Sequence, residues 1–460
     1  MLNNRVFIIN RSELEGRFDP IFYASDLAKF NTNIFKSVLL KSIVKYFKSG
    51  FGAGKQEQTD AENGIIQIRP TNIDENGFLK YDKNIYLPID KNSIRIEVDD
   101  ILFNNTNSQE LVGKTAILKE NKELTFSNHI TIIRVRKEAI LPDYLWIILN
   151  MYQRNRIFYS ICTNWNNQSG IGLELLKKLK IPLPPLEIQQ QIVDLYEKAY
   201  TEKQQKEAEA QRLLDSIDDY LLGELGITLP KEEELLPQNT DKNNSYNLDN
   251  DNPLVKKGRL FLTNLSEVTG KRWNAFEFKN RKLKLGDGNY PNKTLKHLAY
   301  LLKGQSITSN ELEKGDYPVI AGGQISPYTH NRYNFKGNVI TISASGAYSG
   351  YVWYHNYPIF ASDCTVVFSK EESEITTLYL SEILKLKQKE IYNLQQGAGQ
   401  PHVYARDLEK INIPIPSLQK QKDITNEITA IREKAKKLQL EAFDTLEIAK
   451  REIEQMILGN

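Results

Sequence analysis

The chain has 460 residues, too many for one ordinary core, and at roughly 150 residues per domain about three structural units are expected. Hydrophobic residues make up 40% and charged residues 26%, which argues against wholesale disorder and against membrane residence. With 60 basic residues against 58 acidic ones the net charge is +2, so any nucleic-acid footprint has to be local. Cys162 and Cys364 lie far apart, and five scattered histidines show no C-x-x-C or H-x-x-x-H spacing, so no structural zinc is expected. The opening MLNNRVFIIN holds only a short apolar run, and ILPDYLWIIL is interrupted by Asp143 and too short to span a bilayer. A cytoplasmic, untethered protein is the expectation.

Taken in chain order, the sequence is written twice. RFDPIFY (Arg17–Tyr23) returns as RWNAFEF (Arg272–Phe278), and LLKSIVKYFK (Leu39–Lys48) returns as TLKHLAYLLK (Thr294–Lys303) at the same offset. The second pair reads as short amphipathic helices. Strand-like runs follow in the first copy, GIIQIRP, SIRIEV and HITIIRV, and then the helical PDYLWIILNMY. The second copy has NVITISA and CTVVFS. Further on, Ser169–Ile192 answers to Pro401–Ile424, with Pro182 matching Pro414, Leu186 matching Leu418 and Gln189 matching Gln421. The offset is smaller there, so the second copy is the shorter.

Each copy ends in a long helix. From Glu187 to about Leu225 there is no Pro, and no Gly before Gly223; Ile188, Ile192, Leu195 and Ala199, then Leu213 and Ile217, form a stripe around the polar middle TEKQQKEAE. The second runs from about Ser417 to Leu458, with Ile424, Ile428, Ile431, Ala435, Leu438 and Ala442 alternating four and three, and Ile453 further along. Such a stripe packs a helix on its own domain or on a partner helix. Two copies of equal length behind equivalent Pro-rich strands favour pairing with each other. Lys231 to Pro253, acidic and Asn-rich, reads as a flexible linker. The expected fold class is α+β, two similar α+β domains with an internal pseudo-two-fold repeat. The expected division is 1–185, a helix over 186–230, a linker over 231–258, a second domain over 259–416, and a second helix over 417–460.

Four segments carry a resemblance: ILFNNTNSQELVGKTAIL (Ile101–Leu118), IPLPPLEIQQQIV (Ile181–Val193), QQGAGQPHV (Gln395–Val403) and IPIPSLQKQKDI (Ile413–Ile424). With the duplicated layout, they make the chain similar to the specificity subunits of Type I restriction–modification enzymes over nearly its whole length. It departs where the family usually sets a basic residue beside the first Thr-Asn pair, having Asn104 and Asn105 there, and where SLQKQ replaces a PLxEQ-like form. The resemblance implies two target recognition domains, held apart by two antiparallel coiled-coil helices, each reading one half of a split site on double-stranded DNA. It also implies two docked modification subunits that bind S-adenosylmethionine and methylate adenine, and motor–nuclease subunits using ATP and magnesium. The chain itself is expected to hold no cofactor or metal and to catalyse nothing. A helix of about 39 residues is a rod of about 58 Å, an upper guide of roughly 17 base pairs to the unread gap.

Asn and Gln can pair with adenine edges, Arg and Lys with guanine, and Ser or Thr with several, so the polar loops are the candidate contacts. In the first copy these are Arg69; Asn104, Asn105, Thr106, Asn107 and Ser108; Lys114; and Asn164, Asn166, Asn167 and Gln168. In the second they are Gln324, Tyr328 and Arg332; Ser343, Ser345 and Tyr348; and Gln395, Gln396, Gln400 and His402. The bland alternative is that these are solvent-facing turns. An enzyme reading lacks its groups. No N-P-P-Y-like tetrapeptide is present, GFGAGK (Gly50–Lys55) lacks phosphate-loop spacing, and the Glu277/Lys279 triplet has no upstream partner. A coiled-coil scaffold without DNA binding is the alternative that the helices alone would support.

Overall fold

The computed structural model describes residues 34–88, 94–165, 168–228, 288–397 and 399–459. The RFDPIFY/RWNAFEF pair, the linker, Glu277, Lys279, Asn166 and Asn167 lie outside the described residues. The chain forms two compact units, residues 1–207 with 439–460, and residues 208–438.

In the first unit β1 (Ser37–Leu39) pairs antiparallel with β12 (Lys180–Pro182). The one-turn helix α1 (Leu40–Ile43) runs straight into β2 (Val44–Ser49). The segment read as one amphipathic helix is therefore a helical turn and then a strand. Val44, Tyr46 and Phe47, β-branched or aromatic, fit a pleated surface better than a helix. β3 (Gly64–Ile68), β4 (Tyr86–Pro88), β5 (Ile101–Asn104), β6 (Thr106–Asn107), β7 (Thr115–Ile117), β8 (Leu124–Phe126) and β9 (Ile130–Val135) follow. One sheet has the order β2-β9-β5-β7, all antiparallel, and another β4-β3-β8, in which β3 and β8 run parallel. SIRIEV is not a strand over its described residues. Ile96 donates to Leu124 O, but the Asp100 carboxylate caps Glu97 N at 2.8 Å and Asp99 sits at φ 70, so the chain turns there.

The helices α2 (Pro142–Arg154) and α3 (Ile157–Ile161) then lead to the hairpin of β10 (Thr163–Trp165) and β11 (Gln168–Gly170), which extends β6. After α4 (Leu173–Lys177) and β12 comes α5 (Leu186–Leu225), 40 residues long.

The second unit repeats the plan. β13 (Asn292–Thr294) leads to α6 (Leu295–Leu298), again one helical turn, and then β14 (Ala299–Lys303), β15 (Tyr317–Ile320) and β16 (Thr329–His330). β17 (Val339–Ser343), β18 (Val352–His355), β19 (Phe360–Ala361) and β20 (Cys364–Ser369) complete the sheets. Their orders are β14-β20-β17-β18 and β16-β15-β19, strand for strand those of the first unit, with β15 parallel to β19. α7 (Thr377–Leu386), α8 (Gln388–Tyr392), α9 (Ala405–Leu408), β21 (Asn412–Pro414, paired with β13) and α10 (Leu418–Leu458, 41 residues) close the chain.

A buried glutamine joins each long helix to its domain. Gln189 Oε1 accepts from Leu141 N at 2.9 Å, while its Nε2 donates to Pro184 O at 2.9 Å and Ala139 O at 3.4 Å. Gln421 makes the same set, accepting from Thr376 N at 2.9 Å and donating to Glu374 O at 2.9 Å and Pro416 O at 3.1 Å. The two accepted N–H groups sit at the starts of α2 and α7, where a helix leaves donors without internal partners. Beside them Tyr144 donates to Pro182 O at 2.8 Å and Tyr379 to Pro414 O at 3.0 Å, and burial pushes both phenols far up.

Within each unit a stretch of α5 packs against a stretch of α10. In the first unit Ile192, Tyr196 and Ala199 share an apolar cluster with Leu446, Ala449, Ile453 and Ile457, and Ile188 and Leu195 pack against it. Lys206 there lies 3.7 Å from Glu441. In the second, Ile217, Leu221 and Leu225 cluster with Ile424 and Ile428, Ile431 packs alongside, and Lys420 bridges to Glu224. Both clusters also contain residues of the sheets and short helices, so each stripe serves its domain as well as the partner helix. Leu213 and Leu438 are half-buried. Among the described residues no helix is long and apolar enough to cross a membrane.

Candidate nucleic-acid interface

Each unit gathers its polar loops at one place, where β5 or β17 ends. In the first unit Asn105 N donates to His129 O at 3.0 Å, and Asn105 O accepts from Ile171 N at 2.9 Å. Thr106 then pairs with Gly170, and Thr163 with Gly170 across the hairpin. In the second unit Ala344 N donates to Asp363 O at 3.2 Å, and Ala344 O accepts from Val403 N at 3.0 Å. Ser345 pairs with His402, and Gln396 with His402. The two clusters are thus built from the same backbone hydrogen bonds.

The turn that follows each strand closes on a glycine in the left-handed region, Gly113 at φ 85 and Gly350 at φ 94. Gly113 N donates to Asn104 O at 2.9 Å and Gly350 N to Ser343 O at 2.7 Å. A Cβ at Gly113 would also stand 2.1 Å from the Phe158 ring, so a side chain is excluded there on two grounds.

Two of the candidate contacts are corrected by burial. Asn104 is 0% exposed, with Nδ2 donating to Leu111 O at 3.1 Å, and Ser343 is 4% exposed with Oγ toward Ala321 O. They are equivalent residues, the last of β5 and of β17, and their side chains point into the fold, out of reach of a DNA groove.

Several others are spent on the loops themselves. The Asn105 amide donates to Asn128 O and to Thr131 Oγ1 at 2.8 Å, and its Oδ1 accepts from Thr106 Oγ1 at 2.8 Å. Asn107 Oδ1 accepts from Ser108 N, and the Ser108 carbonyl from Leu111 N and Val112 N. The Arg69 guanidinium leans back on Gln67 Oε1 at 3.3 Å and Ala53 O at 3.4 Å. Gln395 Nε2 holds Ser349 O, and Gln396 Nε2 holds Asp407 Oδ2, both at 2.7 Å. Ser345 Oγ donates to Asp363, and the half-buried His402 ring stacks on Tyr404. Lys114 is half-buried. Such fixed side chains shape the loops.

On the surface stand Asn164, whose Oδ1 accepts from Ser169 Oγ at 2.5 Å, and Gln168 in the first unit. In the second they are Gln324, Tyr328, Arg332, Tyr348 and Gln400. Gln324 also hydrogen-bonds Tyr392; burial lifts that phenol above its usual value and the bond works the other way. Two exposed apolar side chains in these loops escaped the sequence reading, Trp165 at 47% and Ile325 at 74% exposed. A large apolar residue inside a polar turn was the available signal, since a solvated loop has no use for one. GFGAGK forms no phosphate cradle; Gly54 N is occupied by the Glu57 carboxylate at 2.7 Å. No group of three or more His, Cys, Asp or Glu suited to a metal occurs among the described residues.

One α+β plan used twice, with a polar loop cluster at the same place in each copy and a long helix behind each, defines a duplicated recognition protein. More particularly, the chain belongs to the family of Type I restriction modification DNA specificity domains, whose model matches residues 27–212 and 287–442, well over half of it. Members of this family supply DNA specificity to restriction–modification systems and are not their catalytic components. A type I restriction enzyme specificity subunit of Methanocaldococcus jannaschii, MjaX, is 26% identical over 373 residues, 79% of this chain and 76% of that one. Among solved structures, a chain from work on complex assembly and conformational transition of the type I R-M system is similar over 93% of this chain and 98% of its own, at 16% identity and a TM-score of 0.51. The S subunit of a Type-I system from M. genitalium covers 93% and 96%, at 15% identity and a TM-score of 0.45.

Proposed function

We propose that this specificity subunit reads a bipartite target on double-stranded DNA, one half-site per recognition domain, with its two long helices as the spacer between them. The observation that carries the reading is the repetition of one loop cluster, at one place in one fold, with different side chains in each copy: Asn105 and Asn107 stand against Ala344 and Gly346 at matched positions, and Asn164 is exposed in the first cluster and Tyr348 in the second. Side chains of this kind read base edges in a major groove. The chain docks two adenine-methylating modification subunits and restriction–translocase subunits in the cytoplasm, and S-adenosylmethionine, ATP and magnesium are held by those partners.

The test is a graft of a related protein's second copy between Arg259 and Ile413, followed by mapping of methylated adenines. One half of the recognition sequence should change while the other stays. A change in both halves, or in neither, would refute one half-site per domain, and the loss of all sequence preference with the complex intact would favour a mere scaffold.

A further inference from the structure

Superposing the hydrogen bonds of the two loop clusters pairs their residues one by one. Thr106 corresponds to Ser345, both hydroxyl residues, through their bridges to Gly170 and His402. Ile171 and Val403 correspond through the carbonyls they donate to. Counting back from these along each hairpin, Gln168 and Gln400 fall on one position. Both are exposed. The Gln168 backbone pairs with Trp165, but its side chain has no hydrogen-bond partner among the described residues, and Gln400 Nε2 only grazes Ser345 Oγ at 3.5 Å. Neither glutamine is therefore held for the sake of its own loop.

Their surroundings are not kept. Asn105 stands against Ala344, Asn107 against Gly346, His129 against Asp363, and Gly170 against His402. Two clusters with different side chains suit different bases, and what they hold in common can recognise only what two half-sites have in common. Every DNA segment shares its phosphate backbone, and an amide N–H on a hairpin is a good donor to a phosphate oxygen.

We propose that Gln168 and Gln400 make the same sequence-independent contact, each donating its side-chain amide to a backbone phosphate and setting the depth at which its hairpin meets the groove, while the residues that differ between the copies choose the bases. The inference rests on the reading of one half-site per domain. A hydrogen bond to a charged group is worth enough that each loss should weaken binding about tenfold. Because the amide is neutral, no counterion release is lost with it and the salt dependence should keep its slope.

The experiment uses the full chain assembled with its modification partners. Binding is measured by fluorescence anisotropy on a duplex carrying the target, as mapped from wild-type methylation, and on a duplex of equal length with both half-sites scrambled. Gln168→Ala and Gln400→Ala should each weaken both duplexes about tenfold, leaving their ratio, the salt slope and the methylation pattern unchanged. Gln168→Lys should restore affinity and steepen the slope by about one phosphate. A changed ratio or a relaxed base in the methylation pattern would overturn the proposal in favour of base reading. Unchanged binding in the two alanine variants would overturn it in favour of an idle surface residue. If the wild-type complex itself does not tell the two duplexes apart, the half-site reading has failed instead.

Discussion

Replacing Gln189 or Gln421 by alanine removes a side chain that is 0% exposed and that closes the joint between a domain and its long helix. For Gln421 the loss is three bonds of 2.9 to 3.1 Å, and for Gln189 two of 2.9 Å and a longer one of 3.4 Å. Leu141 N or Thr376 N is then left at a helix start without a partner, and two carbonyls are orphaned with it. At about 1 kcal/mol net per bond, Gln421→Ala should cost about 3 kcal/mol and Gln189→Ala somewhat less. For a unit of this size that is roughly 6 to 12 °C in Tm. A protein of two units need not unfold in one step, so the assay pairs calorimetry with amide exchange read region by region. Gln189→Ala should loosen the start of α2 and leave the start of α7 protected; Gln421→Ala should do the reverse. A Tm shift under about 1 °C, or loss of protection spread evenly over both units, would refute the idea that these glutamines are the joints.

Two further outcomes follow from buried charge in the second unit. Arg432 on α10 donates both guanidinium nitrogens to the Glu382 carboxylate of α7, at 2.7 and 2.6 Å; burial alone would raise that carboxyl, and Arg432 with Lys385 holds it below its usual value. Arg432→Met should cost about 2 to 3 kcal/mol, because the buried carboxylate keeps Lys385 at 3.4 Å, and adding Glu382→Leu should recover part of it; urea unfolding in which the double variant is no more stable than Arg432→Met would contradict this. His355 is 0% exposed, its Nε2 shares a hydrogen bond with Thr341 Oγ1 at 2.8 Å, and burial lowers its pKa from 6.5 to about 4. The fold keeps this imidazole neutral while the unfolded chain takes up a proton first. Its stability contribution is therefore complete above pH 6.5 and is lost as pH falls toward 4, by roughly 3 kcal/mol. His355→Gln should flatten that part of the pH profile, and an equally steep profile in the variant would show that another group is responsible.

The duplication, the two long helices and the α+β class were legible because each leaves a periodic or repeated trace. Leu39–Lys48 misled because four apolar residues spaced for a helix also suit a helical turn that passes into a half-buried strand; only the pairing of β2 with β9 decides between them. The polar loops could be located but not resolved residue by residue. Asn104 and Asn105 are neighbours of one type, yet the first faces the interior and the second bonds Thr131, because successive residues of a strand point to opposite faces.

Comparing the chain with itself also sorts its residues by role, once the structure shows what the matched positions do. Pro182 with Pro414 and Gln189 with Gln421 match in sequence because both copies must solve one mechanical problem, seating a long helix against the first turn of a short one, and a glutamine offers both the acceptor and the donors that the joint needs. Base recognition sets each copy a different problem, so the loop side chains have no reason to agree. Agreement between the copies then has three sources, a shared fold, a shared partner subunit or a shared feature of the bound DNA. Burial separates the first from the others: Gln189 and Gln421 agree and are buried among backbone groups, whereas Gln168 and Gln400 agree and are exposed. An exposed residue kept by both copies in the loop cluster, where the fold makes no use of it, is best explained by what the two half-sites share.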